Sequence, residues 1–266
     1  MEISVIVAGA TGRMGQEVVR MIEQNDHLHL VGAVSRSNVG KDIGDIVGLG
    51  KLGILCTASV IQTLEAVQAD VLIDFTTPEH VKVHAEQAIL AGVRPVIGTS
   101  GLSEKDIESL SHLARLYKIG VIFAPNFAIG AVLMMQFAAK AALYMPHVEI
   151  IESHHDQKLD APSGTAVKTA EMIARNRSEI KQGHPDEQEL IDGARGAMMS
   201  GFRIHSVRLP GMVAHQEVIF GDQGQTLTIR HDSIHRESFM PGVKLAVEKV
   251  MELDYFVYGL ENVLDF

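Results

Sequence analysis

Residues 3–23, ISVIVAGATGRMGQEVVRMIE, decide the fold. Five of the first six are apolar and four of the six are β-branched, the middle carries Gly9, Gly12 and Gly15, and the last third has apolar residues at helical spacing. This order predicts a strand, a tight turn and a helix. Glycines at such a turn let the backbone approach a pyrophosphate, whose charge the N–H groups of the helix N-terminus can meet. Because the pattern is G-x-x-G-x-x-G and not G-x-G-x-x-G, a purely structural turn is the alternative.

The same alternation continues along the first half of the chain. Extended apolar runs are separated by stretches with helical spacing and helix start signals. Strands that alternate with helices predict an α/β fold with a Rossmann-type doubly wound parallel sheet. The predicted strands are 3–8, 28–34, 71–75, 93–98 and 119–124, and the predicted helices are 59–67, 78–90 and 103–117.

After residue 127 the pattern changes. We predict an apolar helix at 128–144, a strand in 148–153, a helix at 165–177 and a loop at 180–199, followed by three extended runs separated by turn signals. These elements predict a second, α+β domain with a mixed four-stranded sheet. A last helix, at 241–253, could pack back on the first domain. We therefore expect a dinucleotide-binding domain at 1–127, completed by 238–266, and a second domain at 128–237.

Composition narrows the class of protein. Of 266 residues, 46% are apolar and 21% are charged, as in folded globular proteins. Acidic residues outnumber basic ones by 33 to 23, a net charge of −10, so we expect no nucleic acid partner. The single cysteine, Cys56, excludes an intrachain disulfide. We expect a cytoplasmic protein without a membrane segment, since the start MEISVIVAGATGRMG lacks signal-peptide features and no apolar run reaches about 20 residues.

Ser35 and Arg36 follow the second predicted strand, where an NAD site usually carries an acidic residue. A carboxylate there would repel a 2′-phosphate, whereas a guanidinium pairs with it. The sequence therefore favours NADPH over NADH, and the alternative is an Arg36 that lies in a solvated loop. Two later strand ends, 98–101 and 124–127, carry small or polar residues that could border a nicotinamide or could form ordinary turns.

A dense group of polar residues lies in ESHHDQKLDAPSGTA, residues 152–166. His154, His155 and Lys158 lie within five residues, directly before a Ser-Gly-Thr helix start. A side chain that can donate a proton near neutral pH, a fixed cation and a helix N-terminus suit a small substrate bearing carboxylates. The alternative is a surface loop before a capped helix.

Five stretches carry a resemblance to a known family: GATGRMG (9–15), IDFT (73–76), VIGTSG (96–101), FAPNFAIG (123–130) and ESHHDQKLDAPSGTA (152–166). In this order they resemble the 4-hydroxy-tetrahydrodipicolinate reductases, also called dihydrodipicolinate reductases, of lysine and diaminopimelate biosynthesis. The resemblance implies reduction of 4-hydroxy-tetrahydrodipicolinate to tetrahydrodipicolinate by hydride transfer from NADPH or NADH. It also implies a homotetramer whose second domain binds the small dicarboxylate substrate and forms the subunit contacts.

The resemblance also implies residue roles. His154 resembles the general acid, and Lys158 resembles a second proton-donating or charge-stabilising group. Substrate carboxylate contacts are implied for His155, Ser163, Gly164 and Thr165. Cofactor contacts are implied for Gly9, Ala10, Thr11, Gly12, Arg13, Met14, Ser35, Arg36, Gly98, Thr99, Ser100, Ala124, Pro125, Asn126 and Phe127. Many relatives carry an acidic residue at the position of Ser35, so this chain departs from the family pattern there.

Other classes of protein remain as alternatives. A hydrolase could use Ser100 or residues 231–233, but the chain has no G-x-S-x-G, and three adjacent residues cannot face one another. A nucleotide-sensing module would need neither His154 nor Lys158, and another amino-acid dehydrogenase would leave the 154–158 loop without a role. We expect no metal site among His184, His205, His215, His231 and His235, because the only pair with four-residue spacing, His231 and His235, lies outside the predicted helices.

Overall fold

The computed structural model describes residues 1–178 and 180–264. The strands are β1 Ile3–Ala8, β2 Leu28–Val34, β3 Cys56–Thr57, β4 Val71–Asp74, β5 Arg94–Ile97, β6 Val121–Phe123, β7 His147–His154, β8 Ala197–Met199, β9 Phe202–Arg208, β10 Ala214–Asp222, β11 Gln225–Ser233 and β12 Phe256–Tyr258. The α-helices are α1 Arg13–Glu23, α2 Ile43–Val47, α3 Val60–Ala66, α4 Pro78–Leu90, α5 Glu104–Tyr117, α6 Ile129–Ala141, α7 Gly164–Asn176 and α8 Met240–Val250.

Contacts divide the chain into two compact units, one formed by Met1–Phe127 with the described part of Phe239–Phe266, the other by Ala128–Ser238. The first unit holds a parallel sheet in the order β12-β6-β5-β4-β1-β2-β3. The order reverses between β1 and β4, and in such sheets ligands bind beyond the carboxyl ends of the strands at this reversal. The predicted doubly wound α/β fold is confirmed.

Local sequence fixes the helices around this sheet. Proline at the first position opens α4, and Ser103 opens α5 through a capping box with Asp106. Core residues from β1, β2 and β4 pack against α3 and α4, while those from β5 and β6 pack against α4 and α5. The short elements α2 and β3 were not predicted, since five and two residues are too few for a periodic pattern.

The second unit contains a mixed sheet in the order β11-β10-β7-β9-β8, with β7 and β9 parallel and the other pairs antiparallel. The prediction of four strands was wrong by one, because β8 lies within the stretch 180–199 that we expected to be loop. This three-residue strand is too short to show alternation. It joins β9 through Ser200 and Gly201, whose φ angles of +51° and +82° are those of a tight hairpin turn.

One face of this second sheet is covered. Alternate residues of β7 and β10 are buried, and α6 and α7 pack on the sheet. Val148, Ile150 and Glu152 belong to the covered face, so a carboxylate lies in line with the apolar core. Within residues 1–178 and 180–264, no helix has both the length and the apolar character needed to span a membrane.

Candidate active site

Three glycines shape the turn between β1 and α1 in the first unit. Gly9 has φ +77°, and a Cβ there would lie 2.4 Å from the carbonyl oxygen of Phe75. A Cβ on Gly15 would lie 2.1 Å from the carbonyl oxygen of Gly9. Gly12 is the N-cap residue of α1 and has no side chain to cap the helix. The first N–H groups of α1 therefore remain available to an anion, and the close packing leaves the backbone exposed to it.

A pocket of ≈ 630 Å³ lies beside this turn. It falls within the usual size range of ligand sites. The pocket has no Asp or Glu among the described residues that line it, but it has three basic side chains, those of Arg36, His80 and His84. A dinucleotide phosphate would therefore meet no carboxylate among the described residues of this pocket, and Arg36 would neutralise part of its negative charge.

The residues at the end of β2 form defined contacts in this pocket. Ser35 is buried, and its hydroxyl lies 2.6 Å from the Thr11 hydroxyl. Arg36 is exposed, and its Nη1 lies 2.7 Å from Nε2 of His80 on α4. Since a guanidinium can only donate, His80 accepts through Nε2. Arg36 is thus held at the pocket rim by the His80 ring.

Asp74 anchors the next strand end. It is 1% exposed, and its carboxylate accepts hydrogen bonds from the hydroxyls of Thr76 and Thr99, both at 2.7 Å, and lies 2.8 Å from Nδ1 of His84. Burial favours the neutral acid, but these hydrogen bonds outweigh it and lower the pKa of Asp74. The rings of His84 and His80 are stacked, with centroids 5.9 Å apart. Asp74 therefore positions His84 directly, and His84 in turn positions His80 in the wall of the pocket.

The carboxyl ends of β5 and β6 lie at the same edge of the sheet. A Cβ on Gly98 would lie 2.2 Å from the Phe75 ring, and the Phe75 and Phe127 rings are 5.9 Å apart. Phe75 thus approaches the segments after β1, β5 and β6. The other residues predicted to contact cofactor lie at this edge as well, in or beside the β1–α1 turn (Ala10, Arg13, Met14), after β5 (Ser100) and after β6 (Ala124, Pro125, Asn126).

In the second unit, His154 is the last residue of β7. Its side chain is 15% exposed, and its Nδ1 lies 2.5 Å from Oε2 of Glu152. Glu152 is fully buried and also receives two hydrogen bonds from Arg208, at 2.9 and 2.8 Å. Burial favours the neutral acid, but hydrogen bonds from His154, Arg208 and Ser206 lower the pKa of Glu152 to about 2. Glu152 is therefore an anion throughout the neutral range.

The loop after His154 returns to the same carboxylate. The Ser163 N–H donates to Oε1 of Glu152 at 3.2 Å, and the Ser163 hydroxyl caps α7 by accepting from the Ala166 N–H at 3.2 Å. Lys158 Nζ lies 2.6 Å from Oδ1 of Asp160. His154 and Ser163 are thus brought together on one buried anion. The other predicted substrate residues are the exposed His155 and Gly164 and the half-buried Thr165.

Several residues of these two sites are absent from the sequence-based prediction. Glu152 stands within a quoted motif but was assigned no role, and Arg208 lies 56 residues further along the chain. His80 and His84 do have a sequence signal, since they are four residues apart near the start of a helix with a proline N1 residue. Asp74 and Phe75 lie in the IDFT stretch at the carboxyl end of β4, and this position at the end of a parallel strand is the sequence signal that could have identified them.

Comparison with known proteins identifies the family. Residues 3–127 match the family description "Dihydrodipicolinate reductase, N-terminus", and residues 130–264 match "Dihydrodipicolinate reductase, C-terminus". The chain belongs to the dihydrodipicolinate reductase family. The resemblance drawn from the sequence motifs is thereby confirmed.

Full-length relatives of this family are similar to the chain. The 4-hydroxy-tetrahydrodipicolinate reductase of Bacillus pumilus (strain SAFR-032) is 58% identical over 99% of this chain and 98% of the relative. That of Geobacillus thermodenitrificans (strain NG80-2) is 57% identical over 100% of both chains.

Solved structures agree with this assignment. The dipicolinate-bound dihydrodipicolinate reductase from Paenisporosarcina sp. TG-14 has a TM-score of 0.90 and 49% identity, covering 99% of this chain and 100% of that one. An amine dehydrogenase from Mycobacterium smegmatis, at 16% identity and a TM-score of 0.67 over 94% and 93% of the two chains, shares the fold alone.

Proposed function

We propose that the chain reduces 4-hydroxy-tetrahydrodipicolinate, through loss of water, to tetrahydrodipicolinate in lysine and diaminopimelate biosynthesis. The observation that carries this proposal is the His154–Glu152–Ser163 arrangement in a chain that matches members of the family over its full length. It joins an imidazole fixed for proton transfer to a capped helix N-terminus suited to a carboxylate.

The residues of the first unit fit a dinucleotide. The turn at Gly9 and Gly15 leaves no room for a Cβ, and the first N–H groups of α1 are available to an anion. No described carboxylate lines the pocket. When bound, a nicotinamide coenzyme supplies the hydride. Residues 98–100 and 124–127, at the ends of β5 and β6, would border the nicotinamide side. Residues 9–14 would hold the pyrophosphate, and Ser35 and Arg36 would lie at the adenosine ribose.

NADPH is the proposed preferred coenzyme, with NADH as the second. Arg36 would pair with the 2′-phosphate, and the buried Ser35 offers a hydroxyl where a carboxylate would repel that phosphate. His80 accepts a hydrogen bond from one Arg36 N–H group, which leaves the remaining donors for phosphate oxygens. This pair favours a coenzyme with the extra phosphate.

His154 is the proposed proton donor. Hydride addition to C4 of a conjugated cyclic imine moves electrons toward the ring nitrogen and gives an enamine. This enamine must then take up a proton at the ring carbon next to C4. The His154 ring donates from Nε2, because Glu152 holds Nδ1. Such acid catalysis contributes roughly 10²- to 10⁴-fold in rate. Lys158 would stabilise charge or supply a second proton.

The second unit would hold the substrate carboxylates. Ser163, Gly164 and Thr165 lie at the N-terminus of α7, where the Ser163 N–H is bonded to Glu152 and the backbone of Gly164 and Thr165 would face a carboxylate. Lys158 and His155 would add side-chain donors. These local groups must outweigh a net charge of −10 over the chain. The related reductase from Paenisporosarcina sp. TG-14 is bound to dipicolinate, which is a dicarboxylate, and this supports a substrate of the same class.

We also propose a homotetramer formed through the second unit, in the cytoplasm. The sheet face away from α6 and α7 carries the apolar side chains of Ile151, Val207 and Ile219 on three adjacent strands, and each is only partly buried in one chain. A second copy covering this face would remove that apolar surface from water. The single cysteine suits a reducing compartment.

Initial rates with enzymatically generated substrate test the proposal. We expect oxidation of NADPH, and more slowly of NADH, to depend on the substrate. A chain that binds NADPH but does not oxidise it on addition of substrate contradicts the proposed reaction and favours a nucleotide-sensing role.

A further inference from the structure

We infer that Glu152 and Arg208 form a positioning pair that holds both the general acid and the carboxylate-binding helix start of the second unit. The inference rests on the proposed function, because it assigns Glu152 and Arg208 roles in that reaction. Neither residue touches substrate in this assignment, and both act through His154 and Ser163.

The geometry of Glu152 divides its two carboxylate oxygens between two tasks. Oε2 lies 2.5 Å from His154 Nδ1 and accepts from Arg208 Nη1 at 2.9 Å. Oε1 accepts from Arg208 Nη2 at 2.8 Å and from the Ser163 N–H at 3.2 Å. A carboxylate only accepts, so it places the proton of His154 on Nδ1 and leaves Nε2 for exchange with substrate. Through the Ser163 N–H, the same carboxylate also fixes the N-cap residue of α7.

Arg208 completes the arrangement in two ways. Its bidentate pairing fixes the plane of the Glu152 carboxylate, and its Nη2 also donates to the carbonyl oxygen of Asp160 at 2.7 Å. The 155–163 loop is therefore held at Asp160 and at Ser163. Displacing either member of the pair moves the acid and the helix start together.

Charge balance gives the pair a second effect. Glu152 places an anion beside the His154 ring, and Arg208 places a cation on the same carboxylate. Ala214, which pairs with His154 on β10, carries no charge. Glu152 on β7 contacts His154 directly, and Arg208 on β9 contacts Glu152. The loop that follows His154 carries further titratable or charged residues, namely His155, Asp156, Lys158 and Asp160. Neutralising one member of the buried pair changes the net charge beside His154, and the pH profile of kcat/KM reports that change.

The test compares kcat, KM for substrate and the pH profile of kcat/KM in the full-length protein. Glu152→Gln keeps an acceptor for Nδ1 but removes the charge, so we expect kcat to fall, by no more than the roughly 10²- to 10⁴-fold that a general acid contributes. We expect the alkaline limb of its profile to move to lower pH by about one unit or more. Arg208→Met should move that limb to higher pH, and Arg208→Lys should leave it in place.

Two controls separate positioning from folding. Asp222→Asn removes an exposed carboxylate from the far end of β10, in the same sheet, and should leave the limb where it is. Thermal unfolding identifies any variant that fails to fold. Arg208→Met is the variant most at risk, because it leaves the buried Glu152 carboxylate without its cation. If Arg208→Met does not fold, Arg208→Lys and Glu152→Gln still test the inference.

His154→Gln distinguishes a failure of the proposed function from a failure of the positioning pair. If His154→Gln retains wild-type kcat, the proposed function loses its acid, whatever Glu152 does. If His154→Gln is slow but Glu152→Gln keeps wild-type kcat and an unmoved limb, the positioning pair alone is overturned. We expect Glu152→Gln to add little to the loss in a His154→Gln background, since one residue acts through the other.

Discussion

Arg36 Nη1 donates a hydrogen bond to His80 Nε2 across 2.7 Å, and this contact links the segment after β2 to the first turn of α4. His80 is in turn stacked on His84, which contacts the buried Asp74 carboxylate. The exposed Arg36 guanidinium is therefore placed by a chain of contacts that ends in the core of the first unit. Such placement reduces the freedom that Arg36 must lose when it meets a phosphate.

Removing Arg36 should alter the choice of coenzyme. We expect Arg36→Ala to weaken NADPH binding by about 1.5 to 3 kcal/mol, or roughly 10- to 150-fold, because a charged hydrogen bond is lost. NADH, which lacks the 2′-phosphate, should be little affected. Dissociation constants for both coenzymes measure this. Lys41→Ala removes a nearby exposed cation that contacts Asn38 and should preserve the ratio. An unchanged ratio in Arg36→Ala would show that Arg36 does not select the coenzyme.

His80 should influence the same ratio more weakly. His80→Ala removes one neutral acceptor, so we expect NADPH binding to fall by about 2- to 10-fold, equivalent to about 0.5 to 1.5 kcal/mol. His80→Gln keeps a side-chain oxygen and should restore part of the loss. Equal losses for NADH and NADPH would indicate a general change in the pocket and not an effect through Arg36.

Substitution of His154 should affect kcat much more than KM. We expect His154→Gln to lower kcat by roughly 10²- to 10⁴-fold, with a much smaller change in KM, because an acid acts in the transition state. His147→Gln, at the exposed start of the same strand, is the matched control and should be close to wild type. A large rise in KM with kcat intact would assign His154 to binding.

Gly15 should tolerate no side chain. Gly15→Ala places a Cβ 2.1 Å from the carbonyl oxygen of Gly9, and backbone must move to relieve this contact. We expect a loss of about 1 to 3 kcal/mol in the free energy of unfolding, with weaker binding of both coenzymes. Gly221→Ala, where a Cβ meets no atom within 4 Å, provides the control. Chemical denaturation and coenzyme titration of the two variants test the comparison.

The open face of the second sheet gives a prediction about assembly. Ile219 lies on this face in β10, so Ile219→Lys places a charge in the proposed subunit contact. We expect light scattering after gel filtration to give a tetramer for the wild type and smaller species for Ile219→Lys. A wild-type chain that is monomeric at micromolar concentration contradicts the proposed assembly.

Local signals account for the parts of the fold that the sequence predicted. Pro78 predicted the start of α4, whose predicted bounds of 78–90 match the structure, and Ser103 with Asp106 predicted the start of α5. The extra strand β8 and the short helix α2 were missed because their stability comes from distant partners. For α2 these include the Leu52 and Gly53 N–H groups, which donate to the Asp42 carboxylate.

The same distinction applies to the candidate site. The family could be predicted because His154, Lys158 and Ser163 lie in one contiguous stretch, and the family match over residues 3–127 and 130–264 confirms it. The Glu152–Arg208 contact depends on parallel pairing of β7 with β9, which single-sequence periodicity does not reveal. The residue roles themselves stay predictions for the experiments above.

Acid should remove the contribution of the α5 capping box. Hydrogen bonds from Ser103 and the ion pair with Lys82 lower the pKa of Asp106 to about 2, against about 3.9 in an unfolded chain. A carboxylate with a lowered pKa stabilises the fold above the unfolded value, and this contribution is lost as pH falls through the folded value. Asp106→Asn should therefore unfold more easily than wild type at neutral pH, and the difference should close between about pH 4 and pH 2. Urea unfolding at several pH values measures this, with Glu108→Gln on the same helix as the control. A difference that stays constant down to about pH 2 would mean that Asp106 stabilises α5 by packing and not by charge.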